Sequence, residues 1–497
     1  MKDDDNSASR GIGLGLRLRR VLGRLFGRKQ KESEEPPITP VRGDSKPCKI
    51  GEAVDNRPVI DAQIGFDLGT SSSKVVIGFP DMEKSIPVVF RPDQSGVSRY
   101  LVPTSYREVG ADCQLVASGG GDHCNFKMRL MQAVADGQVC DTGLKVDLVV
   151  YAALVLRRSM EWFGTQYQRD FGHLKLSWNL AVGFPGKKVT GPLASVYMKC
   201  MVAAALLAGT GTNITRQNAK AALLGHLEHG GCETAIHPDS ISLWPEIAAQ
   251  LAGYMRSPYH RNGNIVIVDI GAGTVDISTI ILHGITEARI CSFHFCCVEP
   301  LGANILFSKR RRVLIENGLG GDLVEDDLDT RNPMLPVPEQ LADFLAPGTV
   351  QSQNVRESFD QISKDFSERC IGAALSQLTQ FRLAQRKAHQ SSAFDPWPGH
   401  LPLILSGGGS RLRLYRKIFS DTLEDRLVPY TRWEQHAYNR QSTGQGLKTI
   451  PLPKPDDLDT DSPIGTDFDR LSVAHGLAYG IENLPVITAC TDTDQVL

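Results

Sequence analysis

Apolar residues recur along this chain in two rhythms, and the switches between them outline its elements. Val275, Ile277, Thr279 and Ile281 follow a period of two, which turns one face of a strand toward a core. With the apolar run before them they predict a strand–turn–strand unit over residues 264–282. A shorter unit of the same kind is predicted earlier, with strands at 63–66 and 74–79 around a glycine-containing turn. Residues 401–405 predict another strand, running into Gly407, Gly408 and Gly409 and then a helical pattern from Arg411. Alanine-rich stretches at 196–207 and 245–254 predict helices, and a last helix is predicted at 471–481. Residues 318–340, acidic and proline-containing, read as a surface insertion, and 451–466, rich in Pro and Asp, as a loop.

The globular pattern begins near Ala62, so residues 1–61 read as a basic tail and linker, largely disordered. Within 10–31, Leu14, Leu18, Leu22 and Leu25 recur at helical spacing among Arg17, Arg19, Arg20, Arg24, Arg28, Lys29 and Lys31. That is the pattern of a basic amphipathic helix for a membrane surface or a protein partner. Gly11, Gly13, Gly15, Gly23 and Gly27 each weaken such a helix by roughly 1 kcal/mol, so a disordered arm stays an open reading beside it. The remaining chain, of 497 residues in all, is long enough for two to four domains or lobes. A net charge of -2 excludes a surface that is wholly a nucleic-acid footprint, and no nucleic-acid partner is expected. Eleven scattered cysteines without a CxxC pair fit a reducing compartment. No stretch reads as apolar for the 18 or so residues of a membrane span. The expected location is cytoplasmic, peripheral to a membrane if the arm binds one.

The unit "strand, Asp-x-Gly turn, strand" occurs twice, at Asp67-Leu68-Gly69-Thr70 and at Asp269-Ile270-Gly271-Ala272-Gly273-Thr274. This suggests an internal duplication, each copy opening one lobe. Glycines after a strand let the backbone approach a ligand and aim N–H groups at an anion. Thr70, Ser71, Ser72 and Thr274 add hydroxyl donors for phosphate oxygens. An Asp at the strand end repels phosphate, so its natural partner is a divalent cation that the phosphates also hold, and magnesium suits a site with one or two carboxylates. Asp67 and Asp269, facing each other, would suit one Mg-nucleotide between two lobes. Each turn alone reads equally as a tight hairpin; the two together, with the third glycine turn at 407–411, do not. There is no GxxxxGK[ST] run, and no GxGxxG opens a helix after a first strand.

Those three segments, with Asp276 ending the second and Ser410-Arg411 the third, resemble the phosphate and adenosine motifs of the actin, sugar-kinase and DnaK-type superfamily. Pro245-Glu246-Ile247-Ala248-Ala249 and Ala474-His475-Gly476-Leu477-Ala478-Tyr479-Gly480 resemble its two connecting motifs, and all five stand in the family's order. The resemblance is closest to the nucleotide-binding half of the chaperones, through Pro300-Leu301-Gly302-Ala303-Asn304 as well. It implies an α/β, two-lobed actin-like ATPase fold, each lobe a ribonuclease-H-like mixed sheet flanked by helices. Lobe I would span 62–258, completed by a C-terminal helix at 470–482; lobe II would span 259–469, with a tail at 483–497.

By the same resemblance Asp67 and Asp269 would bind Mg2+, and Gly69, Thr70, Ser71, Ser72, Gly271, Ala272, Gly273 and Thr274 would hold the phosphates of ATP or ADP. Thr274 and Asp276 would assist attack by water. Gly302, Gly407, Gly408, Gly409 and Ser410 would lie against the nucleotide, with Arg411 stacked on the base or held in a surface salt bridge. Pro245 precedes Glu246 where the family has the reverse order, which puts the magnesium-water role of Glu246 in question. Lys127 falls where chaperones carry a lysine that assists γ-phosphate cleavage; a solvated lysine is the competing reading. Lys74 matches a phosphate-contacting lysine of the actin-like filament proteins instead.

Beyond the last motif the chain continues only from Gly480 to Leu497, with no room for the chaperones' peptide-binding domain. The expectation is a slow ATPase that acts as a nucleotide-driven switch or specialised chaperone component, with protein partners reading its lobe surfaces. The alternatives are an ATP-dependent actin-like filament or segregation protein and, further off, a small-molecule kinase of the same fold.

Overall fold

Two hairpins organise the molecule. In the computed structural model, β1 (Val59–Asp67) and β2 (Ser72–Phe79) pair antiparallel across the first Asp-x-Gly turn, with Asp67 opposite Lys74. β3 (Lys84–Pro87) and β4 (Val102–Pro103) each pair with β2. β5 (Ser105–Val109), β6 (Asp112–Leu115) and β7 (His123–Cys124) form a small sheet of their own. Helices α1 (Phe126–Ala135), α2 (Thr142–Gln166) and α3 (Gln168–Phe171) lead to β8 (Lys175–Phe184), parallel to β1. Then come α4 (Pro192–Gly209), α5 (Arg216–Leu223), β9 (Ile241–Pro245) and α6 (Glu246–Arg256), with β9 parallel to β8.

The second hairpin joins β10 (Gly263–Ile270) to β11 (Val275–His283), and β12 (Ile290–Glu299) pairs antiparallel with β11. α7 (Ala303–Glu316) and α8 (Gln353–Ala388) precede β13 (Leu401–Ser406), which is parallel to β10. α9 (Arg413–Arg416), β14 (Leu447–Ile450), α10 (Ser472–Leu477) and β15 (Val486–Ala489) complete the order. Strands β3-β2-β1-β8-β9 in one sheet and β12-β11-β10-β13-β14 in the other have the same order and the same senses. The repetition seen in the two turns therefore extends through five strands of a mixed α/β fold.

The structure describes residues 57–489 except 118–120, 138–141, 186–188, 228–235, 257–259, 284–289, 320–336, 346–351, 389–400, 424–446, 451 and 481–485. The basic arm at 10–31 and most of the acidic stretch at 318–340 lie outside the described residues. The globular part starts five residues before Ala62, at Arg57, because β1 is longer than its apolar run. Residues 483–497, expected as a tail, contain β15, which extends the second sheet beside β12. The last helix is shorter than expected, ending at Leu477, and Gly480 then takes a left-handed φ of 84°.

Burial explains the sequence rhythms. β10 is apolar without a break from Ile265 to Val268 because both faces are covered: Val266, Val268 and Ile270 enter one core, Ile265 and Ile267 another. On β11, Val275, Ile277 and Ile281 share the first of these cores, while Ile280 and Leu282 face the second. That second core lies between the two sheets, and α6 and α10 fill it with Leu251, Tyr254, Met255 and Ala474, joined by Ala478 just past α10. The helices run very close to the strands and to each other. A Cβ on Gly65 would stand 2.1 Å from the carbonyl oxygen of Ala474, and one on Gly476 would stand 1.7 Å from that of Ala249.

α4 corrects one expectation, since over its 18 residues it is apolar enough to cross a membrane, with a mean hydropathy of 1.5. It is more than half buried, at 56%, and packs Tyr197, Met201 and Leu207 into the core under the first sheet. A strap from far along the chain closes the outer edge of β3. The Ser85 N–H donates to the Asp457 carbonyl at 2.9 Å, and the Asp459 N–H donates to the Ser85 carbonyl at 2.8 Å. The Asp457 carboxylate also accepts from Ser85 Oγ and Tyr479 OH and lies 3.1 Å from Nε2 of the buried His475.

Candidate functional site

Both Asp-x-Gly turns and the third glycine turn open onto one cleft of about 400 Å³ between the sheets. At the first turn, Asp67 is nearly buried at the end of β1, and Lys74 Nζ lies 3.0 Å from its Oδ2 across the β1–β2 ladder. Gly69 has no room for a side chain, since a Cβ would stand 2.2 Å from the Ser72 carbonyl oxygen. Thr104, unremarkable in the sequence, pins this turn by donating from Oγ1 to the Gly69 carbonyl and from its N–H to that of Ser71.

The second turn is held from behind by the start of α7. The N–H groups of Gly302, Ala303 and Asn304 donate to the carbonyls of Gly273, Gly271 and Ala272, at 2.8–3.1 Å. Each of those carbonyls thus has a donor, while the N–H groups of Ala272 and Gly273 have no backbone acceptor among the described residues. Gly302 must be glycine for this docking, because a Cβ would stand 2.4 Å from the Gly273 backbone. At the third turn Gly407 has φ 77°, and a Cβ there would stand 2.2 Å from Asp269 Oδ1.

The cleft is lined by Asp67, Gly69, Thr70, Ser71, Ser72 and Lys74 from one side, and by Asp269, Gly271, Ala272, Thr274, Asp276, Gly407, Gly408 and Gly409 from the other. Lys127, Glu246 and Arg411 also line it. Gly273, Gly302 and Ser410 stand behind that lining: Met128 covers Gly273, and Ser410 Oγ donates to the Gly407 carbonyl. No protein-family model matches this chain, and no curated protein does.

Lys127 is not a solvated lysine. It is buried on α1 and donates to Glu246 Oε1 and to the Leu68 carbonyl, both at 2.7 Å. Burial alone would pull its pKa down, but the Glu246 carboxylate holds it above the usual value. The inverted Pro245–Glu246 order works because Pro245 ends β9, where it pairs beside Phe184, and Glu246 is then free to open α6 at the cleft. Arg411 is held by two carboxylates, with Nη2 2.8 Å from Asp467 Oδ1 and 2.6 Å from Asp469 Oδ1.

Asp269 and Asp276 are different: neither has an ion-pair partner among the described residues, and Asp276 Oδ1 is buried with no hydrogen bond. Burial, then the neighbouring carboxylates of Asp276, Glu246 and Asp67, push Asp269 up to about 8. Burial and Glu246 push Asp276 up to about 7, against the Thr274 hydroxyl and Lys127. An orphaned buried acceptor beside a second uncompensated carboxylate is the arrangement that a cation would relieve.

A pH dependence follows. The stability contributed by protonated Asp269 is fully present below its ordinary value of 3.8 and is lost as pH rises through about 8. The Tm of Asp269→Asn relative to wild type is therefore expected to climb between about pH 5 and pH 9 in metal-free buffer. A constant difference over that range would mean that Asp269 is not the group that titrates.

Proposed function

We propose that the chain binds Mg-ATP in this cleft and hydrolyses it slowly, with two actin-like lobes closing on the nucleotide. The observation that carries the reading is that two acidic hairpin turns from separate sheets, alike in strand order, face a single cavity. The donor set fits the ligand. The cleft's volume is within the range of small-molecule sites, its glycines leave backbone close to the space, and the unused N–H group of Ala272 suits a phosphate oxygen. Among the described residues no group of three or more His, Cys, Asp or Glu could hold a metal by itself. Two carboxylates with phosphates completing the shell is how magnesium is usually bound.

Asp67 and Asp269 would hold the magnesium, which when bound supplies charge neutralisation of the phosphates. Asp276 is suited to accept a proton from the attacking water, since burial and Glu246 bring its pKa near neutrality. Lys127 fixes the Glu246 carboxylate at the mouth of α6 and ties it to the first turn through Leu68. Catalysis on these terms is alignment and electrostatics, with no covalent step for the protein. The shared core of α6 and α10 couples the cleft to both sheets, which supports a switch read by protein partners, such as a chaperone component.

The test is calorimetric titration of Mg-ATP and Mg-ADP into the purified protein, with phosphate release followed in parallel. Saturable binding of both nucleotides with slow turnover is expected. A folded protein that binds neither would end this reading.

A further inference from the structure

Three cations of the cleft already have partners: Lys74 has Asp67, Lys127 has Glu246, and Arg411 has Asp467 and Asp469. Arg470 does not. It lines the same cavity, half-buried, and no hydrogen bond or ion pair holds its guanidinium among the described residues. It lies beside the third glycine turn, where a Cβ on Gly408 would stand 3.9 Å from its Nε and 4.0 Å from its Nη2. Burial and then the charge of Arg411 draw its pKa down to about 10, with Asp469, Asp467 and Asp67 offsetting part of that pull. At any physiological pH it is still charged. A guanidinium that lines a cavity with no partner in the protein keeps its donors free for a ligand, and an incoming anion is the acceptor they suit best.

We propose that Arg470 binds the phosphate tail of the nucleotide, so that the cleft selects nucleoside di- and triphosphates over the bare nucleoside. The assignment rests on the nucleotide reading above. Two features favour the phosphates over the base. Among the described residues the cleft lacks ion pairs in complementary senses, with none at the Asp269 and Asp276 carboxylates and none at the Arg470 guanidinium. A metal-bound polyphosphate satisfies both at once, whereas a neutral base satisfies neither. The planar fork of a guanidinium also matches two phosphate oxygens, which a lysine meets only as a point charge.

ATP, ADP and adenosine are titrated into wild type, Arg470→Gln and Arg470→Lys, and each protein is also melted with and without tripolyphosphate. Arg470→Gln is expected to bind ATP and ADP about 10- to 100-fold more weakly and to bind adenosine as wild type does. Arg470→Lys should recover part of the loss, and the rise in Tm that tripolyphosphate gives wild type should vanish in Arg470→Gln. Equal weakening of ATP and adenosine would assign Arg470 to the base and overturn the proposal, as would unchanged ATP affinity or a retained tripolyphosphate effect. A wild-type protein that binds none of these ligands overturns the nucleotide reading itself, so the two failures are told apart.

Discussion

Asp269→Ala and Asp67→Ala are each expected to lower ATP turnover by about a hundredfold or more, the scale of losing a charge-positioning group in a buried site. Their effects on the free protein should differ in sign. Asp67 is neutralised by Lys74 at 3.0 Å, so its removal strands an ammonium that is only 14% exposed and lowers stability. Asp269 has no ion-pair partner among the described residues, and burial with three neighbouring carboxylates outweighs the pull of Lys74, so Asp269→Ala should match or exceed the wild-type Tm in metal-free buffer at about pH 8. Turnover at wild-type rate in both variants would remove the site assignment. A fall in Tm for Asp269→Ala as large as that for Asp67→Ala would remove the account of their different surroundings.

Gly476→Val is expected to give the largest loss of stability of any single change outside the cleft. The new Cβ would meet the Ala249 carbonyl oxygen at 1.7 Å and its carbon at 2.5 Å, and both belong to helix backbone pinned between two sheets. α10 cannot retreat: it is already in contact with β1 at Gly65, and Ala478, just past its end, meets β2 at Gly78, where a Cβ would stand 2.0 Å from the Ala478 carbonyl oxygen. Overpacking costs typically 1–3 kcal/mol where side chains can yield, and a backbone collision at a locked crossing should exceed about 4 kcal/mol. Gly253→Ala is the control. Its Cβ would meet side chains alone, at ordinary contact distances of 3.5 Å to His475 Nδ1 and 3.7 Å to the Phe468 ring, and the change removes a glycine from inside α6. Chemical denaturation that finds the two variants alike would refute the steric account of this crossing.

What the sequence made legible was local. Asp67, Gly69, Gly271, Thr274 and Gly407 could be read because a turn that must pass close to another group requires particular residues at fixed offsets. Strand rhythm at 275–281 could be read because one face of β11 meets a single core. What stayed hidden depends on partners distant in the chain. Lys127 looks solvated until Glu246, 119 residues away, is brought to 2.7 Å. Arg411 looks available for stacking until Asp467 and Asp469 enclose it. Arg470 gave no signal of its own; the charged run Asp467-Phe468-Asp469-Arg470, set against an otherwise apolar connecting motif, was the one trace of it. The 36-residue α8 was missed because its apolar residues are sparse, and it is defined by packing Phe366, Ile371, Leu378 and Phe381 on the second sheet.

The strap at 457–459 has a consequence for how the molecule can be divided. The open rim of the first sheet is sealed by a segment synthesised after almost all of the second, and that sheet's helical cover, α10, comes from the same late stretch. The first half of the chain is therefore not a self-sufficient module: severed from its sequel, it would bare a strand margin able to recruit another copy. In this architecture the first sheet is shielded from self-association only once residues 457–459 and α10 have been added to it.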